Sequence, residues 1–233
     1  MSYYYSGGGS GFFSNLPKVT RNILFINVIF FVATLVNQDF MTRTFALFYP
    51  SSRYFHFWQP VTYMFMHGGF WHILFNMYTL VVFGSVLERM IGERKFLIFY
   101  MLCGLGAAAC HMAVQSIEAS SFQNGIVLGS QAAMRGYATL KMIPTLGASG
   151  AVYGVLIGYA MLFPETRLTL IFPPVSFSAK WMVVIFAAIE LFTGVTGTAE
   201  GVAHFAHLGG MAIGWILIRW WRDRGTLFDR ENL

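Results

Sequence analysis

Residues 146–163 read Leu146-Gly147-Ala148-Ser149-Gly150-Ala151-Val152-Tyr153-Gly154-Val155-Leu156-Ile157-Gly158-Tyr159-Ala160-Met161-Leu162-Phe163. No charged residue interrupts this run, and small residues recur along it. That length approaches the ~20 residues needed to cross a ~30 Å hydrocarbon core. The small residues suit an interior helix that neighbours approach closely. Five further apolar segments flank it, near 23–36, 70–86, 96–114, 181–195 and 202–221. Backbone in lipid must satisfy its own hydrogen bonds, so each is expected to be helical. The first and fifth are short unless flanking residues extend them. The predicted fold is all-α, a polytopic bundle of six transmembrane helices.

Composition supports the same class. Of the residues, 56% are hydrophobic and 11% charged, against about 25% charged in an ordinary soluble domain. A soluble domain this apolar lacks the polar residues to cover its surface; lipid removes that requirement. The 233 residues leave no room for a second sizeable domain. The net charge of +5 is spread over short segments without one basic patch, so no nucleic-acid partner is expected. Cys103 and Cys110 are two helical turns apart in one apolar run, about 10 Å along the axis, too far for a disulfide.

Residues 1–17 are expected to be a disordered tail, 18–224 the membrane domain and 225–233 a short cytoplasmic tail. The connection at 37–69 is long and aromatic and suits the membrane interface. That at 115–145 is long and polar, and the remaining three are short. With the amino terminus inside, eleven basic residues fall on the inner side and four (Arg43, Arg53, Arg135, Lys141) outside. The positive-inside rule then places both termini in the cytoplasm. The second, fourth and sixth helices accordingly begin in the outer half of the bilayer. No targeting signal is apparent, which points to a bacterial plasma membrane.

Chemistry concentrates at those three helix starts. Gly147 and Gly150 flank Ser149 in the first turn of the fourth helix, near unpaired amides and the positive dipole end. The sixth opens Ala203-His204-Phe205-Ala206-His207-Leu208-Gly209-Gly210 and continues to Gly214. Gly210 and Gly214 leave one face nearly bare, and His207 shares roughly that face. If it packs on the glycine-flanked turn of the fourth helix, His207 reaches Ser149 and supplies the base that a serine nucleophile needs. The second helix carries His72 and Asn76 at i and i+4, two side-chain donors at the depth of Ser149 that suit an oxyanion. His204 and His111 read as interfacial histidines, and Glu190 as a carboxylate snorkelling to the interface. Apart from Glu200, no acid accompanies the starts of these three helices, so a Ser–His dyad is expected rather than a triad. Along the chain no histidine or carboxylate cluster has metal-ligand spacing, so neither metal nor cofactor is expected.

His-x-x-x-Asn, Gly-x-Ser-Gly and Ala-His-x-Gly-Gly-x-x-x-Gly, in that order on alternate helices, resemble the rhomboid family of intramembrane serine proteases. The similarity covers nearly all of residues 20–222. It implies Ser149 as nucleophile, His207 as base, and His72, Asn76 and the Ser149 amide as oxyanion hole. It favours His207 over His204, because the family's catalytic histidine precedes the packing glycines by three and seven. Tyr153 matches a family tyrosine that packs on that histidine, and His67 a structural one. Trp58-Gln59 resembles a Trp-Arg pair of the family, with glutamine in place of arginine. Glu88-Arg89 reads as a solvated or paired helix end. The implied partners are the lipid bilayer and transmembrane protein substrates, cut in or near the outer end of their spans. The resemblance also places substrate access beside the fifth helix, where Glu190 could serve a gate. Two other readings are weighed: a pseudoenzyme that only binds membrane segments, and a transporter with a histidine proton relay. The first would lack dyad residues that this chain keeps. The second needs polar groups through the full bilayer thickness, and here they stop in the outer half.

Overall fold

The structure is a computed structural model and describes residues 11–169, 174–196 and 201–228. The tail expected at the amino terminus lies mostly outside them; Phe12–Asn15 form one turn of 3-10 helix. In chain order the helices are α1 (Lys18–Val36), α2 (Gln38–Phe45), α3 (Gln59–Thr62), α4 (Phe70–Thr79), α5 (Ser85–Ile91), α6 (Glu93–Val127), α7 (Gln131–Met142), α8 (Ser149–Leu162), α9 (Ala179–Thr196) and α10 (Gly201–Asp223). A π-helical stretch, Leu80–Gly84, joins α4 to α5 as one rod. The segments expected near 23–36, 96–114, 181–195 and 202–221 fall within α1, α6, α9 and α10; that near 70–86 runs from α4 into α5, and that at 146–163 overhangs α8 at both ends. Among the described residues four spans, Lys18–Val36, Phe70–Ile91, Glu93–Val127 and Ala179–Thr196, are long and apolar enough to cross a membrane. The chain is an all-α polytopic membrane protein with one small β-hairpin.

Helix α8 is the central member of the bundle, and shorter than α1, the α4–α5 rod, α6, α9 and α10 around it. Its eight buried residues, Gly150, Ala151 and Gly154 among them, fall on nearly every side of the helix. Its 14 residues are about 21 Å long, shorter than a ~30 Å hydrocarbon core, so an end of α8 stops inside the membrane. Around it pack α4, α6, α9 and α10. Large exposed apolar side chains gather on the outer faces: Ile29, Leu35 and Val36 of α1, Phe70, Trp71 and Phe75 of α4, Ile189, Phe192 and Val195 of α9. Without a membrane such a surface is untenable; in one it is the lipid face. The core packs Phe96, Phe99 and Tyr100 of α6 with Leu87 of α5 and Ile218 of α10. Leu227 is also buried there, so the chain just after α10 is anchored to the bundle.

Two connections differ from expectation. The stretch 115–145 is mostly helical: α6 runs on to Val127 and α7 turns back on it. Along it the serine hydroxyls find acceptors on the helix itself: Ser116 Oγ donates to the Met112 carbonyl and Ser120 Oγ to that of Ser116, both at 2.8 Å. At 35 residues, α6 is about 52 Å long and projects well beyond the bilayer core. The connection after α8, expected to be short, holds an antiparallel hairpin of β1 (Arg167–Thr169) and β2 (Ser176–Ser178).

At one end of the bundle the Glu88 carboxylate is buried and caps α1. It accepts from the Val19 amide at 2.8 Å and from the Thr20 amide and hydroxyl at 2.7 Å each. The amides at a helix start have no partner of their own, so an acid from a neighbouring helix serves both hydrogen bonding and dipole. Beside it Arg89 Nη2 donates to the Asn15 carbonyl at 2.9 Å. The Glu88-Arg89 end is therefore paired rather than solvated. At the opposite end Leu47 bridges to Thr145, tying the first connection to the approach to α8.

Candidate active site

Close approach of α8 and α10 follows from missing side chains. A Cβ on Gly210 would collide with the Gly150 carbonyl oxygen, and one on Gly214 would lie 2.9 Å from that of Gly154. Backbone therefore rests on backbone, as glycines allow between membrane helices. One turn before Gly210, His207 turns its ring to the start of α8, where Nε2 is 2.8 Å from Ser149 Oγ. Ser149 is the first residue of α8, so the amides of its turn have no helical acceptor.

The His207 ring is held on its face and its far edge. Tyr153, one turn into α8, stacks on it with centroids 4.4 Å apart and planes 9° from parallel. Beyond the ring, Glu190 of α9 places Oε2 3.0 Å from His207 Nδ1 and 2.5 Å from His204 Nδ1. The approach to His207 is off line for a hydrogen bond, a charge contact rather than an aligned bond. Tyr153 Oη donates to Glu190 Oε1 at 2.5 Å.

Four expectations change here. Glu190 does not snorkel; it is 6% exposed and faces the bundle. The Ser–His pair does have a carboxylate beside it, supplied by a helix other than the three inspected for one. Glu200, the acid noted in sequence, lies outside the described residues. His204 is not simply interfacial, since it is partly buried on Glu190. Nor is His111, which is buried and lies 2.6 Å through Nε2 from Thr145 Oγ1. The carboxylate could have been found by periodicity: Ala179, Val183, Phe186 and Glu190 share one face of α9, and its buried residues include Ala179, Val183 and Glu190.

On the other side of Ser149 stands α4. Gly147 has φ +138°, a conformation in which a side chain is strained, and its amide donates to the Tyr63 carbonyl at 3.0 Å. A Cβ at Gly147 would lie 2.9 Å from His72 Nε2 and 3.5 Å from Ser149 Oγ. The imidazole and the hydroxyl thus border one small space that glycine leaves open. Asn76 is buried a turn deeper and donates through Nδ2 to the His72 carbonyl at 2.8 Å, keeping its second amide hydrogen. His67 is buried edge-to-face on His72 with centroids 5.0 Å apart. Burial pushes its imidazole down to about 3, so it is a neutral support.

Gln59 is fully buried and fastens the first connection from within. Its Nε2 donates to the Tyr54 carbonyl at 2.8 Å and the Arg43 carbonyl at 3.2 Å, and its Oε1 accepts from the Phe48 amide at 3.3 Å. Trp58 Nε1 donates to the Thr44 carbonyl at 2.8 Å.

Among the described residues folding also assembles a cluster with metal-ligand chemistry. One ligand atom each from Glu190, His204 and His207 lie within 4.8 Å of one another. Fourteen residues separate the glutamate from the first histidine, which is why no local spacing announced it.

Comparison with known proteins fits this geometry. The family model described as the Rhomboid domain matches residues 54–222. Rhomboid protein 1, mitochondrial, of Saccharomyces cerevisiae is 31% identical over 168 residues, 72% of this chain and 42% of that protein. RHOMBOID-like protein 4 of Arabidopsis thaliana is 29% identical over 167 residues, 69% of this chain and 33% of that protein. Rhomboid protease GlpG of Yersinia pestis is 25% identical over 218 residues, 91% of this chain and 66% of that protein. The chain thus spans between a third and two thirds of these relatives' lengths. With the family model covering most of the chain, and glycine-packed helices bringing its motifs together, the protein belongs to the rhomboid family.

Proposed function

We propose that this protein is a serine-type endopeptidase acting inside the membrane, with Ser149 as nucleophile and His207 as general base. The observation that carries this reading is the 2.8 Å contact between His207 Nε2 and Ser149 Oγ at the start of α8. Nε2 accepts the serine proton as Oγ attacks a peptide carbonyl. Before the transfer the neutral ring holds its own proton on Nδ1, next to the Glu190 carboxylate, which orients the ring and offsets the positive charge of the imidazolium formed by the transfer. The negative charge of the tetrahedral intermediate develops beside Gly147, where His72, Asn76 and the Ser149 amide form the oxyanion hole. His207 then gives its proton to the leaving amine, and water hydrolyses the acyl-enzyme by the same relay. Tyr153 fixes the ring from its face. His204 bonds the carboxylate and meets the His207 ring edge-to-face, with no bond to Ser149 among the described residues, and stands outside this relay.

The substrates in this reading are single-span membrane proteins, cut within or near the outer end of their transmembrane segment. We place six crossings in residues 18–224, both termini in the cytoplasm, and the protein in a bacterial inner membrane. The basic-residue asymmetry supports that orientation. Glu88 at the end of one rod caps the start of another while Leu47 meets Thr145 at the far end, so the start of α1 and the end of α5 share one end of the bundle, and the basic residues give that end its side.

The test is cleavage of a tagged single-span substrate by purified protein in detergent. Ser149→Ala and His207→Ala should abolish cleavage and His204→Ala should retain it. Wild type that binds a varied panel of such substrates and cuts none, or an active Ser149→Ala, would contradict the reading.

A further inference from the structure

The relay uses one edge of His207, and the other edge belongs to a second assembly. His204 and His207 are i and i+3 on α10, so both rings leave the same face. Glu190 meets them from α9, with Oε2 2.5 Å from His204 Nδ1 and 3.0 Å from His207 Nδ1. Two imidazoles and a carboxylate with a fourth position for water are a donor set that zinc takes. Bonds of about 2 Å to one ion need shifts of roughly 1 Å or less in side chains already this close.

Three further features mark a built site. The buried Nδ1 of His207 has no aligned hydrogen-bond partner among the described residues. Tyr153 holds the other oxygen of Glu190 and Ser149 the other nitrogen of His207, the outer contacts that orient metal ligands. Both histidine side chains are about a fifth exposed, at 21% and 20%, which gives an ion and its water a way in.

We propose that Glu190, His204 and His207 form an inhibitory site for a divalent transition metal, zinc above all. Its inhibitory consequence rests on His207 being the base for Ser149. The metal takes the Nδ1 lone pair of His207. The single proton of the neutral ring then sits on Nε2, the atom that must accept the serine proton, and Ser149 loses its base. Removal of the metal restores the Nδ1–H form. Magnesium and calcium, which prefer all-oxygen ligands, do not compete.

The test uses the full chain in detergent without a histidine tag, stripped of metal, with zinc chloride alone as titrant in calorimetry. The expected result is one zinc per protein, weakened about tenfold or more in Glu190→Gln and in His204→Ala. Zinc should also suppress cleavage by wild type reversibly with a chelator, while magnesium has no effect. His204→Ala should cleave yet resist zinc. No zinc binding by wild type, or equal binding by His204→Ala, would overturn the site. Calorimetry needs no turnover, so zinc bound by a protein that cuts nothing leaves the metal site standing and sinks the protease reading together with the inhibitory role that rests on it. Cleavage indifferent to zinc sinks this one alone.

Discussion

Glu190 Oε2 lies 3.0 Å from His207 Nδ1, on the opposite edge of the ring from Ser149. A carboxylate there selects the tautomer that leaves Nε2 free to accept a proton. Replacing Glu190 by Gln keeps the shape and removes the charge. We expect kcat to fall about 10²-fold with KM little changed. That is less than the ~10⁴-fold loss in a soluble Ser-His-Asp triad, because the contact here is off the N–H axis. Steady-state kinetics check it, and a Glu190→Gln enzyme at the wild-type rate would leave the carboxylate without a role in turnover.

His72 borders the space beside Gly147, and Asn76 follows it by one turn on the same side of α4, the pair proposed for the oxyanion hole. Donors that meet charge only in the transition state act on kcat rather than on binding. Asn76→Ala should therefore lower kcat about 10²–10³-fold, roughly 3–4 kcal/mol, with KM nearly constant. His72→Ala should act in the same direction. The check is the split between kcat and KM; a loss confined to KM would place these residues in substrate binding instead.

The α8–α10 contact predicts a ranking of glycine substitutions. The Cβ of Gly210→Ala would occupy the place of the Gly150 carbonyl oxygen, so the helices must separate. Gly214→Ala meets the Gly154 carbonyl oxygen at 2.9 Å and the Ile157 side chain at 2.8 Å, a milder conflict. Overpacking of this kind costs about 1–3 kcal/mol. Gly210→Ala should show the larger drop in thermal stability in detergent. It should also lose more activity, since it moves His207 from Ser149. Equal stability of the two variants would contradict this packing.

His67 gives a pH dependence with a definite sign. Burial holds its imidazole near 3, against an ordinary value of 6.5. Below pH 6.5 the unfolded chain binds the proton and the folded protein does not, so stability falls as pH falls, until the folded value is reached near 3. The slope from this one group is at most about 1.4 kcal/mol per pH unit. Melting temperatures between pH 7 and pH 4 should decline less steeply in His67→Gln than in wild type, and an unchanged slope would contradict the burial of a neutral ring.

Ser149 and His207 could be read from the chain because glycine spacing reports helix contact directly: Gly150 and Gly210 meet as their flanking motifs imply. The six apolar segments were readable because lipid demands long uncharged runs. Glu190 was not, since one carboxylate near the end of an apolar helix looks alike whether it turns to water or to the bundle. Only its place on the face of Ala179 and Val183 distinguished the two. The helical extension of α6 was hidden for a related reason. Hydropathy falls where a helix leaves the bilayer, and Gln115-Ser116 marks that exit rather than the end of the helix. The β1–β2 hairpin rests on strands of three residues each, too short to carry a pattern.

The most direct measurement is reaction of the purified protein with a fluorophosphonate, followed by peptide mapping. A single adduct on Ser149 Oγ, formed by wild type and absent in His207→Ala, is the expected result, because only a serine with its base in place is nucleophilic enough to react. Cleavage of a membrane substrate with no adduct on Ser149, or full labelling of Ser149 in His207→Ala, would contradict the Ser149–His207 pair as the centre of the chemistry.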